Sequence, residues 1–283
     1  FEFVNGFHDA ANAIATVVAT RVLKPGPAVL MAGGLNFIGA VSGTAVATTI
    51  GKGLIDAQVV TEWTVAAGLL AAIIWDLATW YYGIPTSSSH ALVFGVIGAG
   101  VATAGFGAVI PAGVFKIGLG VVYSPVLGFL LAGLVLVIVY RMMAKQTPAR
   151  VSALFGRLQL LSSVYMAFSH GSNDGQKTMG IISLALFTYG ALGTHFYVPV
   201  WVMIASAAAM GVGTATGGWR IIRTMGFGLA ELKPIDGFAA ETAAGTVIEV
   251  ATRLGMPIST THAINGAILG VGADRKSTRL NSS

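Results

Sequence analysis

Residues 121–140 carry no charged side chain and are almost wholly apolar. A helix of about 20 such residues crosses the hydrocarbon of a bilayer. At that depth every backbone polar group needs an internal partner, so only helices and closed barrels can span. Residues 27–51, 91–115 and 178–218 also lack charge, apart from His195. None of these runs alternates polar and apolar residues as barrel strands do. Charged residues make up 10% of the chain, against roughly 25% in a soluble domain. The expected class is an all-α, polytopic membrane protein, with the lipid bilayer as its surroundings.

Glycine is abundant at 38 residues and sits inside the apolar runs. In a membrane bundle small residues let helices approach closely and let a helix break. The absence of cysteine excludes a disulfide framework, a thiolate metal site and a cysteine nucleophile. The net charge of +5 reads as loop charge that sets topology, not as a nucleic-acid surface.

Two motifs recur. The run Gly83-Ile84-Pro85-Thr86-Ser87-Ser88-Ser89-His90-Ala91 returns as Gly255-Met256-Pro257-Ile258-Ser259-Thr260-Thr261-His262-Ala263. Pro fits the first turn of a helix, and Ser and Thr suit the start, where N–H groups lack partners. Both runs are therefore expected to open helices, whose free N–H groups and positive dipole ends attract anions. The other motif is Gly6-Phe7-His8-Asp9-Ala10-Ala11-Asn12, echoed by Gly171-Ser172-Asn173-Asp174-Gly175-Gln176-Lys177. Asp9 and Asn12, spaced i, i+3, would share one helix face. From Asp9 to Asp174 is 165 residues, and from Pro85 to Pro257 is 172. Two motifs in one order at nearly one spacing indicate an internal duplication, typical of secondary transporters.

Between the copies, Arg141, Lys145, Arg150 and Arg157 form the densest basic cluster, which the positive-inside rule places in the cytoplasm. The expected organisation is a first repeat over residues 1–140, a basic loop over 141–157 and a second repeat over 158–273. Residues 274–283 are abruptly polar and are read as a tail unrelated to the fold. A long helix is expected from Pro27 to about Ile50, and another over about Glu62 to Tyr82. The start at Phe1, without Met and almost inside a motif, points to a missing upstream segment.

With these four motifs in order from Phe1 to about Ala273, the chain resembles the inorganic phosphate transporter family, in its bacterial low-affinity branch. The family carries a Gly-x-Asn-Asp type signature and a Pro-x-Ser-Thr-Ser/Thr-His type re-entrant hairpin in each half. The resemblance implies two inverted repeats with re-entrant helical hairpins, and phosphate bound midway between them. It also implies import of inorganic phosphate by cation symport, in some members as a metal–phosphate complex, driven by protons or by sodium. Two positions depart from the pattern: His8 replaces an Asn before the first Asp, and Lys177 stands where a second Asn is usual. A further membrane helix usually follows the second hairpin in the family.

On the residues themselves, hydroxyls and free N–H groups can replace the water shell of phosphate from several sides. The expected phosphate-binding set is Thr86, Ser87, Ser88, Ser89, Ser259, Thr260 and Thr261. The alternative for each run is an ordinary helix cap or a small contact between helices. The coupling-ion set is Asp9, Asn12, Asn173, Asp174, Gln176, Lys177 and His8, since intramembrane carboxylates are costly and normally face a cavity. Asp76, Glu241 and Glu249 are open between function and a structural hydrogen bond.

Ser89 and His90 are neighbours whose side chains would diverge on a helix, and no local carboxylate orients the imidazole, so no hydrolase is expected. No metal site of closed protein ligands and no cofactor is expected either. His8 and Lys177 introduce nitrogen groups where sodium needs oxygens, and Lys177 can hold Asp174 ionised, which leaves Asp9 as the better proton carrier, with His8 as the competing candidate. The sequence reading is thus a proton-coupled phosphate symporter of the inner (plasma) membrane. The rivals are sodium coupling, or another tetrahedral oxyanion such as sulfate. A homodimer is left open.

Overall fold

The computed structural model describes the backbone of residues 1–280 and the side chains of residues 1–273. The described chain is helical: α1 Glu2–His8, α2 Ala10–Ala19, α3 Pro25–Ala40, α4 Ala45–Gly53, α5 Glu62–Tyr82 and α6 Ser88–Ala104 precede the long α7 Pro111–Met143. After it come α8 Pro148–Thr188, α9 Val200–Thr216, α10 Trp219–Arg223, α11 Pro234–Arg253 and α12 Thr260–Leu280. Three of these, α5, α7 and α8, are long and apolar enough to cross a membrane. The count is five if the bent pairs Pro25–Ala40 with Ala45–Gly53 and Val200–Thr216 with Trp219–Gly228 each make one span. The expected polytopic helical class is what the chain adopts.

The single helix expected from Pro27 to about Ile50 is broken, because α3 stops at Ala40 and α4 leaves at 69°. The hydroxyl of Ser42 donates to the carbonyl of Gly39 at 2.6 Å, which closes the turn. The new helix start is then capped from elsewhere, since the N–H of Val46 donates to Oε1 of Gln176 on α8 at 2.9 Å. The basic segment is also tighter than the expected loop. Arg141 lies in the last turn of α7, Arg150 and Arg157 lie exposed on α8, and only residues 144–147 connect the two helices. Pro148 explains this, because it is the first residue of α8 and starts a helix without losing a bond. At 1.5 Å per residue α8 is about 60 Å long, twice the hydrocarbon thickness, so its basic end has room outside the bilayer.

The hydroxyl runs form helix starts as expected. α5 ends at Gly83 (φ 69°), the chain turns through Pro85, and Ser87 caps α6 by accepting from the N–H of His90 at 3.4 Å. The second copy repeats this: Gly255 (φ 61°), Pro257, and Ser259 accepting from the N–H of His262 at 3.1 Å at the start of α12. Both turns need a left-handed residue, the conformation glycine adopts without steric cost. The residues assigned to a polar tail begin within α12, and 281–283 lie outside the described residues.

The apolar packing frames this centre. One core cluster joins α2 (Ala11, Ile14, Val17), α8 (Met166, Ala167), α11 (Ala240, Ala244, Ile248) and α12 (Ile264, Ile268). A second joins α4 (Val46, Ile50), α5 (Val65, Ala72), α6 (Leu92, Val96) and α8 (Ile181, Leu184). α8 belongs to both, and it carries His170, Asp174 and Lys177 between them.

Candidate functional site

The tips of the two hairpins touch. The hydroxyl of Ser259 donates to that of Ser87 at 2.8 Å, and the rings of His90 and His262 meet edge to face with centroids 4.8 Å apart. The signature residues close over the tips in a matched pattern. Ser88 donates to Oδ1 of Asp9 at 3.1 Å, and Thr260 donates to Oδ2 of Asp174 at 2.7 Å. Each signature also reaches across to the opposite hairpin. Asn12 donates to Thr261 at 2.9 Å and to Thr260 at 3.3 Å, while the ammonium of Lys177 donates to Ser89 at 2.5 Å. Asn12 and Lys177 are the same 165 residues apart as the two aspartates.

Lys177 is the cation of the centre. It pairs with Asp174 Oδ1 and donates to the carbonyl of Ile258 at 2.7 Å, with only 2% of its surface exposed. Asp174 faces a second basic group, because His170 Nε2 lies 3.2 Å from its Oδ2 without hydrogen-bond alignment. The other ring nitrogen of His170 shares a hydrogen with Oδ1 of Asn36 at 3.1 Å. Asp9, His170 and Asp174 bring one potential ligand atom each within 4.8 Å of one another. The ammonium of Lys177 already supplies positive charge to that cluster.

Asp9 is held differently. Its Oδ1 is 2.7 Å from Nδ1 of His8, and its Oδ2 has no hydrogen-bond partner. It falls in the break between α1 and α2 (φ −93°, ψ 5°), not on a continuous helix face with Asn12. The expected i, i+3 relation survives only as a backbone bond from the N–H of Asn12 to the carbonyl of Asp9 at 2.9 Å. Nε2 of His8 is 3.0 Å from the hydroxyl of Thr79 on α5.

Of the expected phosphate set, Ser87, Ser88, Ser89, Ser259, Thr260 and Thr261 are buried at the junction of the tips. Thr86 is only half buried and donates to Thr79 at 3.1 Å, on the outer side of that junction. Of the coupling set, His8, Asp9, Asn12, Asp174 and Lys177 bond to the tips or to one another. Asn173 instead braces the second hairpin, donating to Thr252 at 2.8 Å and accepting from the N–H of Ile258 at 3.4 Å. Gln176 spends its carbonyl on the start of α4.

The three carboxylates left open are now distinguishable. Glu241 accepts from Thr16 and Ser162 at 2.5 Å, Ser163 at 3.1 Å and Gln159 at 3.3 Å. Glu249 pairs with Arg253 and accepts from Ser172 at 3.3 Å. Asp76 is fully buried with neither oxygen hydrogen-bonded, because nearby Ser88 sends its hydrogen to Asp9. Sequence reasoning passed over His170 as a partner of Asp174, although the i, i+4 spacing was visible. It also passed over Thr79, Asn36 and Glu2, the last of which accepts from Thr178 beside Lys177.

Comparison with known proteins bears on what such a centre serves. The profile of the phosphate transporter family matches residues 5–283. A probable low-affinity inorganic phosphate transporter of Rhizobium meliloti (strain 1021) is 50% identical over 277 residues, which is 98% of this chain and 83% of that protein. The protein of the same description in Bacillus subtilis (strain 168) is 43% identical over 283 residues, 99% and 85% of the two chains. A solved structure described as the sodium-dependent phosphate transporter superposes with a TM-score of 0.88 at 25% identity, covering 99% of this chain and 88% of that one. With a family match over nearly its whole length and relatives at this identity, the chain belongs to the phosphate transporter family.

Proposed function

We propose that this membrane protein imports inorganic phosphate across the inner (plasma) membrane by symport with protons, through alternating access at the junction of the two hairpins. The observation that carries this reading is the convergence of six hydroxyls and two helix starts on a centre holding Asp9, Asp174 and Lys177. Hydroxyls and helix N-termini suit phosphate oxygens, and no covalent chemistry is required. Two carboxylates against one ammonium leave the centre a net negative charge, which repels an incoming anion. A proton taken up at Asp9 or His8 removes that repulsion, so binding of phosphate and of the coupling cation favour each other. The family and the descriptions of the relatives support phosphate as the substrate over sulfate. The connection at residues 144–147, between the basic helix ends, faces the cytoplasm in this reading.

Sodium coupling is the second reading. It is favoured by the description of the solved relative as sodium-dependent and by the convergence of Asp9, His170 and Asp174. Against it stands Lys177, whose ammonium lies where a cation would gain most from Asp174. Uptake of labelled phosphate into proteoliposomes separates the two. An inward proton gradient should drive accumulation without sodium, with magnesium present or absent to test a metal–phosphate substrate. Accumulation that follows only a sodium gradient would overturn proton coupling and leave phosphate as the substrate.

A further inference from the structure

The first hairpin has a polar connection to its carboxylate that the second hairpin lacks. A cavity of about 530 Å³, bounded by Trp75, Pro85, Thr86, Ser87 and His90, opens beside the first tip. From its wall the hydroxyl of Thr86 donates to that of Thr79 at 3.1 Å. Thr79 lies 3.0 Å from Nε2 of His8, and Nδ1 of His8 lies 2.7 Å from Oδ1 of Asp9. These are unbroken hydrogen-bond distances from an open cavity to a buried carboxylate.

We infer that Thr86, Thr79 and His8 form a one-sided relay that carries the coupling proton between this cavity and Asp9. This rests on the proton-coupled reading given above. Each hydroxyl can receive one hydrogen and release another, and an imidazole can take a proton at one nitrogen while giving one up at the other. Thr79 turns its own hydrogen from the carbonyls of Trp75 and Asp76, which it now bonds, onto Nε2 of His8 as it accepts one from Thr86. His8 passes its Nδ1 hydrogen to Oδ1 of Asp9. Only O–H and N–H bonds change. The hydroxyls keep their hydrogen count, and the His8–Asp9 pair gains one proton.

The second half has the same frame with the relay chemistry removed. Asn173 stands in the place of His8 and bonds Thr252 at 2.8 Å, as His8 bonds Thr79. An amide cannot take a proton at one atom and release one at another as imidazole does. Ile258 stands in the place of Thr86 and has no hydroxyl. The groups surrounding His8 fit delivery to Asp9. Glu2 lies on its own helix and Asp9 directly after it; α5 brings Asp76, within electrostatic reach of His8. α6 brings Ser88 and, further along, His90; α8 brings Asp174, held by Lys177 and His170. α9 carries no charged residue, and Arg220 of α10 turns away onto the carbonyl of Tyr81 and the ring of Trp80.

The test is Thr79→Val against Thr79→Ser in the full-length protein, read as proton-driven phosphate uptake and as thermal stabilisation by inorganic phosphate. Val keeps the shape and removes the hydroxyl, while Ser restores it. Thr79→Val should lower the initial proton-driven rate by about tenfold or more, with the phosphate-induced shift retained and Ser near the parent rate. Parent-like uptake in Thr79→Val, or equal loss in Val and Ser, would overturn the relay. If Thr79→Val loses the phosphate-induced shift as well, Thr86→Val decides: the same fall in rate supports the relay, and an unchanged rate overturns it. A parent protein that ignores the proton gradient would instead end the coupling assignment itself.

Discussion

Around Asp174 both carboxylate oxygens are engaged: Lys177 holds Oδ1, and Thr260 donates to Oδ2 with His170 alongside. Around Asp9, Oδ1 is shared by His8 and Ser88, and Oδ2 has no partner. The difference extends outward. Glu249, on the helix leading into the second hairpin, pairs with Arg253, whereas Asp76, on the helix leading into the first, is buried with no hydrogen bond to either oxygen. Two motifs of common pattern have thus been filled with different chemistry. The second half carries a buried charge pair at the centre, and the first an imidazole beside a carboxylate with one unpartnered oxygen. In the proton-coupled reading these would serve as a stable frame on α8 and a variable charge at the break between α1 and α2.

The strongest way to break this comparison is to disturb the fixed pair. Asp174→Asn leaves the buried ammonium of Lys177 without its anion, and breaking a buried pair in this way costs about 3–5 kcal/mol. Thermal unfolding in detergent should show a large loss, most of it recovered in Asp174→Asn combined with Lys177→Met. A single mutant as stable as the parent would mean that the pair does not hold the centre together. The matching change in the first half should act on coupling instead. Asp9→Asn keeps an oxygen for Ser88 and strands no charge, so the protein should stay folded while proton-driven accumulation is lost. Proton flux followed with a pH-sensitive dye on addition of phosphate measures this. Equal destabilisation by Asp9→Asn and Asp174→Asn would remove the distinction between the halves.

Smaller effects should fall on the hydroxyls, where the two halves are alike. Ser88→Ala and Thr260→Ala each remove one hydrogen bond to a carboxylate at the centre. In the proposed reading the same hydroxyls turn to phosphate, and a bond to a charged group is worth about 1.5–3 kcal/mol, so the apparent KM for phosphate should rise between about tenfold and a hundredfold in each. Similar increases in both would show that phosphate is shared between the tips. An increase in one alone would place the anion against a single hairpin.

What could be read from the chain alone was what local chemistry decides. The ends of α5 follow from an apolar run closed by Gly83, and the starts of α6 and α12 follow from Pro and hydroxyl residues, so these were legible. The Asp174–Lys177 pair was legible too, because residues three apart on a helix share one face. The break between α3 and α4 was not, since its cap comes from Gln176, 130 residues away. Nor were the crossed contacts of Asn12 with Thr261 and of Lys177 with Ser89, which depend on how the hairpins meet. The interruption at Asp9 has no local breaker either: neighbouring Ala10 and Ala11 favour helix, and packing overrides that preference.

The two turns into the hairpins offer the mildest and most symmetrical test. Gly83 and Gly255 both hold positive φ, 69° and 61°, one residue before the apolar residue that precedes each proline. An alanine in that region costs about 1–2 kcal/mol from the clash of its Cβ with the following carbonyl. Space adds little at Gly83, where a new Cβ would meet its nearest neighbour, Arg220, at 3.5 Å. It adds more at Gly255, where the carbonyl of Ala45 would lie 3.2 Å away and the hydroxyl of Thr49, which donates to the carbonyl of Gly255, 3.3 Å away. Gly83→Ala should therefore lower thermal stability slightly and Gly255→Ala somewhat more. If the first hairpin is the half that changes during transport, strain at Gly83 should also slow uptake, while strain at Gly255 should register in stability alone. The reverse pattern in paired uptake and unfolding measurements would assign the moving part to the second hairpin and the fixed frame to the first.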